Sequence, residues 1–599
     1  MKKLKSYYQE ILFFLGFIVL SLLLTYPLIF RMGSSFYGYQ GDPLGVIYGL
    51  WRMKYTWQHS LPYYFNALVA SPFGIDYSGS IRIPFLQFFA KWLTILTNEI
   101  IAYNLIILLS FPLAGITMYY LVHRFTKNKV ASFFSGIIFA FSPYHFAHAW
   151  AHLGLANIQW MPLYVLLLFR LDENRTYWNA VLCAVAFTLN AFFDPHYGYF
   201  MVVLTGAFLF FKLFCWWKHR QWSAAGFQSL FKGIKVGLVG VVVALAIILP
   251  FQYRTFKIAF FESKTQAIDA QGYVRPFKDL FTSGAKIGGY LLPAVEHPVF
   301  GKLTRKLVDS WFYSARWGEN ALYLGYVPMA LAIVTIIGWR RRRRRAVNQP
   351  SAGSHQSPDF IVGFFVFLAL VALAFSHAPW IEIGGFRILF PSYFMYKILP
   401  AMRAYQRFGI LVMLSVSVLA GIGLSDILKK TGKMKWRLGL SGLVIVLVLF
   451  EFWNWPPYRV TDVSRTPPVY KWLAEQPGDF TIAEYPLSSD ISFKYYYYLF
   501  WQRIHRKPLI NGAMPGTYAE KVRKEIVNIA DPRTAGILRW LGAKYVIFHP
   551  DKYLREYEAT AVIGEIPDVS KVAGLRFVRE FGDVKVYKVV AQAVKPGIR

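Results

Sequence analysis

Long apolar segments alternate with short polar connections over the first three quarters of the chain. A helix that crosses a bilayer needs about 20 apolar residues, because the hydrocarbon core is roughly 30 Å thick. Eleven segments approach this length, at approximately 11–30, 99–122, 131–147, 157–171, 177–193, 197–217, 234–251, 320–339, 359–376, 408–428 and 438–455. A further apolar segment, 85–97, is shorter and carries Lys91, so we interpret it as an interfacial or re-entrant helix.

Lysine and arginine collect in every second connection between these segments. The basic positions include Lys2, Lys3, Lys5, Arg124, Lys127, Lys129, Arg170, Arg175, Lys212, Lys218, Arg340 through Arg345, and Lys429 through Arg437. The opposite short connections, 145–156 and 194–196, contain neither residue type. The positive-inside rule therefore predicts a multi-pass protein of the cytoplasmic membrane with its N-terminus in the cytoplasm and its C-terminus outside. The long polar loops 31–84, 252–318 and 377–407 are then extracytoplasmic.

The chain changes character near Pro456, where spans stop and charges of both signs mix. Strand-like runs at 480–485, 544–548 and 584–590 alternate with helix-like stretches at 517–529 and 532–541. The pattern predicts an α-helical polytopic membrane domain over 1–455, with about eleven transmembrane helices, followed by a small extracytoplasmic α/β domain over 456–599.

Composition supports the membrane assignment and excludes several other classes. Hydrophobic residues make up 56% of the chain and charged residues only 16%, where about 25% is typical of soluble globular proteins. The net charge of +33 is dispersed between apolar runs, which disfavours a nucleic-acid partner. The run Arg340–Arg345 follows a span, and we favour a stop-transfer anchor over an anionic-lipid or nucleic-acid site. The cytoplasmic connections are short and lack a phosphate-binding GxxxxGK[ST] loop, so nucleotide-driven chemistry there is disfavoured.

Ionisable residues are expensive at a membrane, and those at span edges are candidates for function. Asp42, between Gly41 and Pro43 in the first outer loop, could be a general base or an ordinary turn and cap residue. Asp194 and His196 fill a short outer turn and could form half of a divalent-cation site. The alternative is that Asp194 caps the next span while His196 lies at the interface.

Three more features lie at the same predicted edge. His145, His148 and His152 would share one face if 145–152 is helical, so they could bind a metal or simply bond to backbone and headgroups. Glu319 precedes the eighth span, where the helix dipole favours an acid in any case. Arg403 and Arg407 are four residues apart, so on a helix they would form a phosphate clamp. A base, metal ligands and paired arginines suit displacement at a carbon bearing a phosphate leaving group.

The chain resembles the glycosyltransferase C (GT-C) superfamily of polytopic membrane enzymes, which use polyprenyl-phosphate-linked sugars. The resemblance rests on one span followed by a long outer loop with an acid, Asp42, on the turn at Asp194, and on the stretches Asn157-Ile-Gln-Trp-Met-Pro-Leu-Tyr and Met402-Arg-Ala-Tyr-Gln-Arg-Phe. Many GT-C enzymes carry paired acids in this loop, whereas Asp42 is flanked by Gly41 and Pro43.

The resemblance implies inverting transfer of a sugar from a polyprenyl-phosphate donor to a glycan, lipid or protein acceptor, with Asp42 as general base. Arg403 and Arg407, with a divalent cation held by Asp194 and His196, would stabilise the phosphate, and Glu319 and His152 would bind substrate. Two alternatives stay open. A lipid or polysaccharide flippase would favour ionisable mid-span residues or matched halves, and a non-catalytic assembly protein would bind envelope polymer without needing Asp42.

Overall fold

The protein is described by a computed structural model that covers residues 2–598 except 79, 81, 219–223, 258–275, 296, 309, 311, 312, 314–320, 347–356, 401, 454–459, 488–492, 515 and 554–565. Its helices are α1 (Lys2–Leu24), α2 (Asp42–Gln58), α3 (Pro84–Leu96), α4 (Glu99–Thr126), α5 (Lys129–Ala140), α6 (Pro143–Ala151), α7 (Trp160–Glu173), α8 (Tyr177–Phe193), α9 (Pro195–Lys218), α10 (Ala224–Lys257), α11 (Asp279–Thr282), α12 (Ile287–Leu291), α13 (Gly301–Thr304), α14 (Tyr326–Ala346), α15 (Pro358–Ser376), α16 (Pro391–Ile398), α17 (Gly409–Lys430), α18 (Met434–Glu451), α19 (Pro468–Glu475), α20 (Phe493–His505), α21 (Tyr518–Glu525) and α22 (Thr534–Trp540).

The strands are short and few. They are β1 (Ser35–Tyr37), β2 (Phe65–Asn66), β3 (Ile75–Asp76), β4 (Trp380–Ile383), β5 (Phe386–Leu389), β6 (Val460–Asp462), β7 (Thr481–Tyr485), β8 (Ala543–Phe548), β9 (Leu575–Phe581) and β10 (Val584–Val589).

Each of the eleven predicted apolar segments overlaps a helix, and the chain is a mostly helical, multi-pass membrane protein. Among the described residues, five helices are long and apolar enough to span a bilayer, namely α4, α9, α10, α15 and α17. The number rises to six if α5 and α6 together form one broken span. The total of eleven spans stays a prediction. The short apolar segment 85–97 forms α3, which turns Phe88, Phe89 and Trp92 outward.

The prediction of one continuous segment over 131–147 is wrong in one respect: the segment bends by 42° between α5 and α6. Ser142 caps the second helix by accepting a hydrogen bond from the backbone N–H of His145, and Pro143 follows at the first helical position. Proline lacks an N–H and clashes with the preceding turn, so it begins a helix readily and interrupts one that is already formed.

The clusters of basic residues that the sequence places on one side of the membrane meet at one end of the helices, which we call the basic end. Contacts there join Arg124 to Glu173, Lys212 to Asp172, and Arg342 to Asp426. The opposite end of the same helices carries Glu99 at the start of α4 and Ser376 at the end of α15. We call that the site end.

The tail contains a four-stranded sheet in the order β7-β8-β10-β9. Strands β7 and β8 are parallel, and β10 is antiparallel to both of its neighbours. Three of these strands match the predicted runs, whereas β9 was not predicted. A separate hydrophobic core lies against this sheet, but the larger core continues from the apolar helices into α19 and α20.

The tail packs on the site end, and its contacts include a strand pair, an ion pair and a helix pair. Strand β6 pairs antiparallel with β1, which directly follows the first helix. Arg503 of α20 forms a buried ion pair with Glu99, with Nη1 and Oε1 2.5 Å apart. Helix α20 also packs on α2, where a Cβ atom at Gly45 would lie 2.6 Å from the ring of Tyr496. The tail therefore covers the helix that begins with Asp42.

Candidate active site

Asp42 occupies the first turn of α2, directly after its N-cap, Gly41. Gly38, in the loop before Asp42, is fixed by two contacts. The hydroxyl of Thr461 donates a hydrogen bond to the carbonyl of Gly38 at 2.6 Å. Pro43 packs so closely that a Cβ atom at Gly38 would lie 2.8 Å from it. Upstream, the buried amide of Asn104 bonds to the backbone of β1. The positive end of the α2 dipole stabilises a carboxylate at this position.

His152 lies beside Asp42 as the C-cap of α6. Its Nδ1 atom is 3.2 Å from Oδ2 of Asp42, and both side chains reach solvent, with 27% and 36% of their surfaces exposed. The backbone N–H of His152 donates to the carbonyl of His148 at 2.7 Å, which closes the last turn of α6. The structure therefore brings the predicted base and one predicted substrate-binding residue into direct contact.

The turn after His152 connects this pair to the second half of the site. Gly154 packs so tightly on the turn between α8 and α9 that a Cβ there would lie 2.8 Å from Oδ2 of Asp194. The hydroxyl of Tyr197, in the first turn of α9, donates to the carbonyl of Leu155. His152 and Gly154 are two residues apart, so their Cα atoms are at most about 7.6 Å apart.

Asp194, His196 and Arg407 form a chain of hydrogen bonds. The carboxylate Oδ1 of Asp194 accepts from the backbone N–H of His196 at 2.9 Å and lies 2.8 Å from its Nδ1. The Nη1 atom of Arg407 lies 3.2 Å from Nε2 of His196. Because arginine can only donate, Nε2 is the acceptor and Nδ1 carries the proton toward Asp194. Burial raises the pKa of Asp194, but His196 and Arg407 outweigh it, so this pKa lies below its ordinary value.

This hydrogen-bond chain does not fit the predicted metal half-site. A metal-ligating imidazole must offer a lone pair, yet Nδ1 of His196 faces Asp194 and Nε2 faces Arg407. Asp194 also caps α9, as the alternative interpretation expected. Within the part of the chain that the structure describes, no three His, Cys, Asp or Glu side chains come together as metal ligands. The reaction proposed for this site uses no metal ion at Asp194 or His196.

The other predicted residues have different environments. Arg403 precedes the helix and its Nη1 lies 3.4 Å from Asp279, so the expectation that it shares a helix face with Arg407 is wrong. Residues 405–408 form a tight 3₁₀ turn instead, and the hydroxyl of Tyr144 donates to the carbonyl of Arg407. Glu319 lies outside the described residues.

His145 and His148 are buried and serve the local backbone. The ring of His145 lies between the carbonyl of Ala140, at 2.6 Å, and that of Ala156, at 2.7 Å, so it braces the bend between α5 and α6 against the turn that follows His152. His148 bonds to the carbonyl of Tyr144. Of the three histidines predicted to share a helix face, His145 and His148 are therefore structural, and His152 belongs to the candidate site.

Sequence reasoning missed the aromatic residues around Asp42. Tyr496 reaches it from the tail, and burial together with the charge of Asp42 raises the pKa of Tyr496 to about 12. The rings of Tyr39 and Trp150 are in contact, tilted by 30° with centroids 5.3 Å apart, on the segments that precede Asp42 and His152. The run Tyr495–Tyr498 was visible in the sequence, but it carried no indication of which surface it would contact.

The arrangement has the GT-C fold, which confirms the resemblance at the level of the fold. The apo oligosaccharyltransferase of Archaeoglobus fulgidus is similar over 97% of this chain and 74% of its own, with a TM-score of 0.54 and 12% identity. The mycobacterial arabinofuranosyltransferase AftD is similar over 97% of this chain with a TM-score of 0.53 and 14% identity, and the match spans 42% of AftD. No curated protein matches the chain in sequence.

The chain belongs to the DUF6311 family, a domain of unknown function, which matches residues 13–449. The match begins in α1 and ends within α18, so it includes Asp42, His152, Asp194, His196 and Arg407.

Proposed function

We propose that this protein transfers a sugar from a polyprenyl-phosphate-linked donor to an acceptor hydroxyl on the extracytoplasmic face of the cytoplasmic membrane. One observation carries the proposal: the Asp42–His152 pair and the Asp194–His196–Arg407 chain lie on adjoining turns at the site end of the apolar helices. The site thus offers a carboxylate base and, on the adjoining turn, an oriented guanidinium, in a fold used by glycosyltransferases.

Asp42 acts as the general base in this proposal. His152 bonds to Oδ2, which fixes the carboxylate and leaves Oδ1 as the oxygen that takes the acceptor proton. A positioned base of this kind contributes typically 10²–10⁴-fold to the rate. The dipole of α2 favours a negative charge at this position.

Arg407 stabilises the leaving group. As the acceptor oxygen bonds to the anomeric carbon, the bond from that carbon to the phosphate oxygen breaks, and its electron pair leaves with the phosphate. The acceptor proton passes to Asp42. Nη1 of Arg407 donates to Nε2 of His196, which orients the guanidinium, and its positive charge stabilises the negative charge that develops on the phosphate. One face is attacked as the opposite bond breaks, so the anomeric configuration inverts.

The proposed orientation of the protein in the membrane rests on the difference between the two ends of the helices. We assign the basic end to the cytoplasm, because arginine and lysine clusters are retained there. The site end and the tail are then extracytoplasmic, where nucleotide sugars are absent and a lipid-borne donor is available. The eleven predicted spans belong to this assignment.

The experiment is turnover by the purified full-length protein, incubated with a panel of polyprenyl-phosphate sugars and assayed for release of the lipid phosphate. Asp42→Asn should lower kcat by about 10²-fold or more. Asp76→Asn is the matched control, because Asp76 is an exposed acid in the same outer loop that pairs with Arg254. Absence of turnover with every donor, or equal activity of Asp42→Asn and the wild type, would favour a flippase or an assembly protein.

A further inference from the structure

A cavity of about 300 Å³ lies at the basic end, opposite the candidate active site. Its charged lining residues are Arg124, Arg342, Asp426 and Lys429, and Ser425 also lies in its wall. The whole lining comes from α4, α14, α15 and α17. Helix α4 has 28 residues and is therefore about 40 Å long, so its two ends lie at opposite boundaries of the bilayer.

Cations outnumber acids on the cavity wall. The wall contains three cations, Arg124, Arg342 and Lys429, and one carboxylate, Asp426. Asp426 lies 3.8 Å from Arg342 and 3.9 Å from Lys429, so two cations share it. Two acids outside the wall also take part: Arg124 bonds to Glu173, and Arg342 lies 3.4 Å from Asp359. Each arginine still has further N–H donors, since a guanidinium carries five.

Helix dipoles account for the presence of the cations but not for the cavity or its polar lining. Lys429 and Arg124 lie in the last turns of α17 and α4, where a positive charge is favoured. Ser425, however, has 1% of its surface exposed, and its hydroxyl has no hydrogen-bond partner among the described residues. A buried hydroxyl without a partner costs free energy. Its position in the cavity wall indicates that the cavity receives a polar group.

The arginines from Arg340 to Arg344 extend this positive surface. Arg342 belongs to the cavity, whereas Arg340, Arg341, Arg343 and Arg344 are exposed on the same final turns of α14. Basic pockets between transmembrane helices on the cytoplasmic side suit anionic lipid headgroups, and flanking basic clusters concentrate such lipids at the surface.

We propose that the cavity binds the phosphate of an anionic phospholipid headgroup, with Arg342 and Lys429 pairing to its oxygens and Ser425 donating a hydrogen bond. Its place at the ends of α4, α15 and α17 puts the phosphate at headgroup depth, and the apolar side chains Ile361, Val362 and Ile422 leave room for the first acyl carbons. The site is separate from the glycosyl-transfer site and does not depend on that assignment.

The test is lipid retention by the full chain in neutral detergent, titrated with dioleoylphosphatidylglycerol and followed by native mass spectrometry and by the shift in Tm. The cavity variant is Arg342→Gln/Lys429→Gln. Its control, Arg341→Gln/Lys430→Gln, removes the same charge from neighbouring exposed positions of the same two helices. We expect about tenfold weaker binding by the cavity variant and a change within about twofold for the control. Ser425→Ala should weaken binding without lowering the Tm of the lipid-free protein, because it removes a buried hydroxyl that has no partner there.

Two further arms identify the source of the phosphate. Phosphatidylcholine should give no saturable shift, and inorganic phosphate should not compete at concentrations comparable with the lipid. Saturable binding of inorganic phosphate that the cavity variant abolishes, with no preference for the anionic lipid, would overturn the lipid assignment in favour of a soluble phosphate compound. Equal losses in the cavity variant and the control, or no binding of either probe, would overturn the site itself.

Discussion

The Nδ1 atom of His152 lies 3.2 Å from Oδ2 of Asp42, although the two residues belong to separate helices, at the C-terminus of α6 and the N-terminus of α2. In the proposed reaction, the contact holds Oδ2 and leaves Oδ1 to accept the proton. It also makes His152 a positioning residue, because it acts on the proposed reaction through Asp42.

His152→Ala should lower kcat more than it raises KM, because Asp42 loses its orientation while the substrate contacts of Arg407 remain. A loss of up to about 10²-fold is expected for a misplaced catalytic group. His152→Gln, which keeps an N–H donor, should retain more activity than the alanine variant. His59→Ala is the control, since the ring of His59 bonds to the carbonyl of Tyr55 at the end of its own helix. Equal kcat in all three variants would remove His152 from the site.

Substitution of Arg407 should lower kcat far more than substitution of Arg403. Arg407→Ala removes the guanidinium that His196 orients, and loss of one preorganised donor typically costs about 10²–10³-fold in kcat. Arg403→Ala breaks an ion pair with Asp279 in which the arginine is 51% exposed, so its effect should be much smaller. Measurement of kcat and KM for both variants checks this order. The reverse order would show that Arg403, rather than Arg407, contacts the phosphate.

Gly45→Ala should loosen the contact between the tail and α2, because the new Cβ would lie 2.6 Å from the ring of Tyr496. Gly49→Ala, one turn further along the same helix, meets open space and should be neutral or stabilise α2 by about 0.5–1 kcal/mol. Limited proteolysis and Tm report the difference. The double variant Gly45→Ala/Tyr496→Ala should recover the wild-type pattern, and its failure to do so would place the clash elsewhere.

Arg503→Met should destabilise the protein by about 3–5 kcal/mol, because it leaves Glu99 buried without a partner. Changing both residues, as Glu99→Gln/Arg503→Met, should restore most of the lost free energy of unfolding. The exposed pair of Glu382 and Arg387 is the control, and Arg387→Met should cost about 0–1 kcal/mol. Denaturant unfolding in micelles measures these differences. Similar costs for both pairs would contradict a buried contact at the tail.

Asp194 should make the site end sensitive to acid. Its pKa is lower in the folded protein than its ordinary value of 3.8, so its contribution to stability is complete above that value and is lost as the pH falls through the folded pKa. The Tm of the wild type should therefore fall more steeply than that of Asp194→Asn between about pH 5 and about pH 3. Parallel pH profiles would show that His196 and Arg407 do not stabilise the carboxylate.

The sequence by itself determined the apolar helices, the alternation of basic connections, and the positions of Asp42, Asp194, His196 and Arg407. These features are local: a run of apolar residues, a charge at its end, or a turn residue before a helix depends on neighbours along the chain. For the same reason the strands at 481–485 and 543–548 were predictable from short β-rich runs.

Only the tertiary structure decided which of these residues meet. It joined His152 to Asp42 and paired Arg403 with Asp279. It placed the two ring nitrogens of His196 against Asp194 and Arg407, and it brought Tyr496 from the tail onto Gly45. Such pairings depend on how helices pack and bend. The periodic pattern of apolar residues in one helix does not specify which face of another helix it contacts. The bend at Ser142–Pro143, which directs α6 and His152 toward the first outer loop, is a local signal whose consequence appears only in the packed fold.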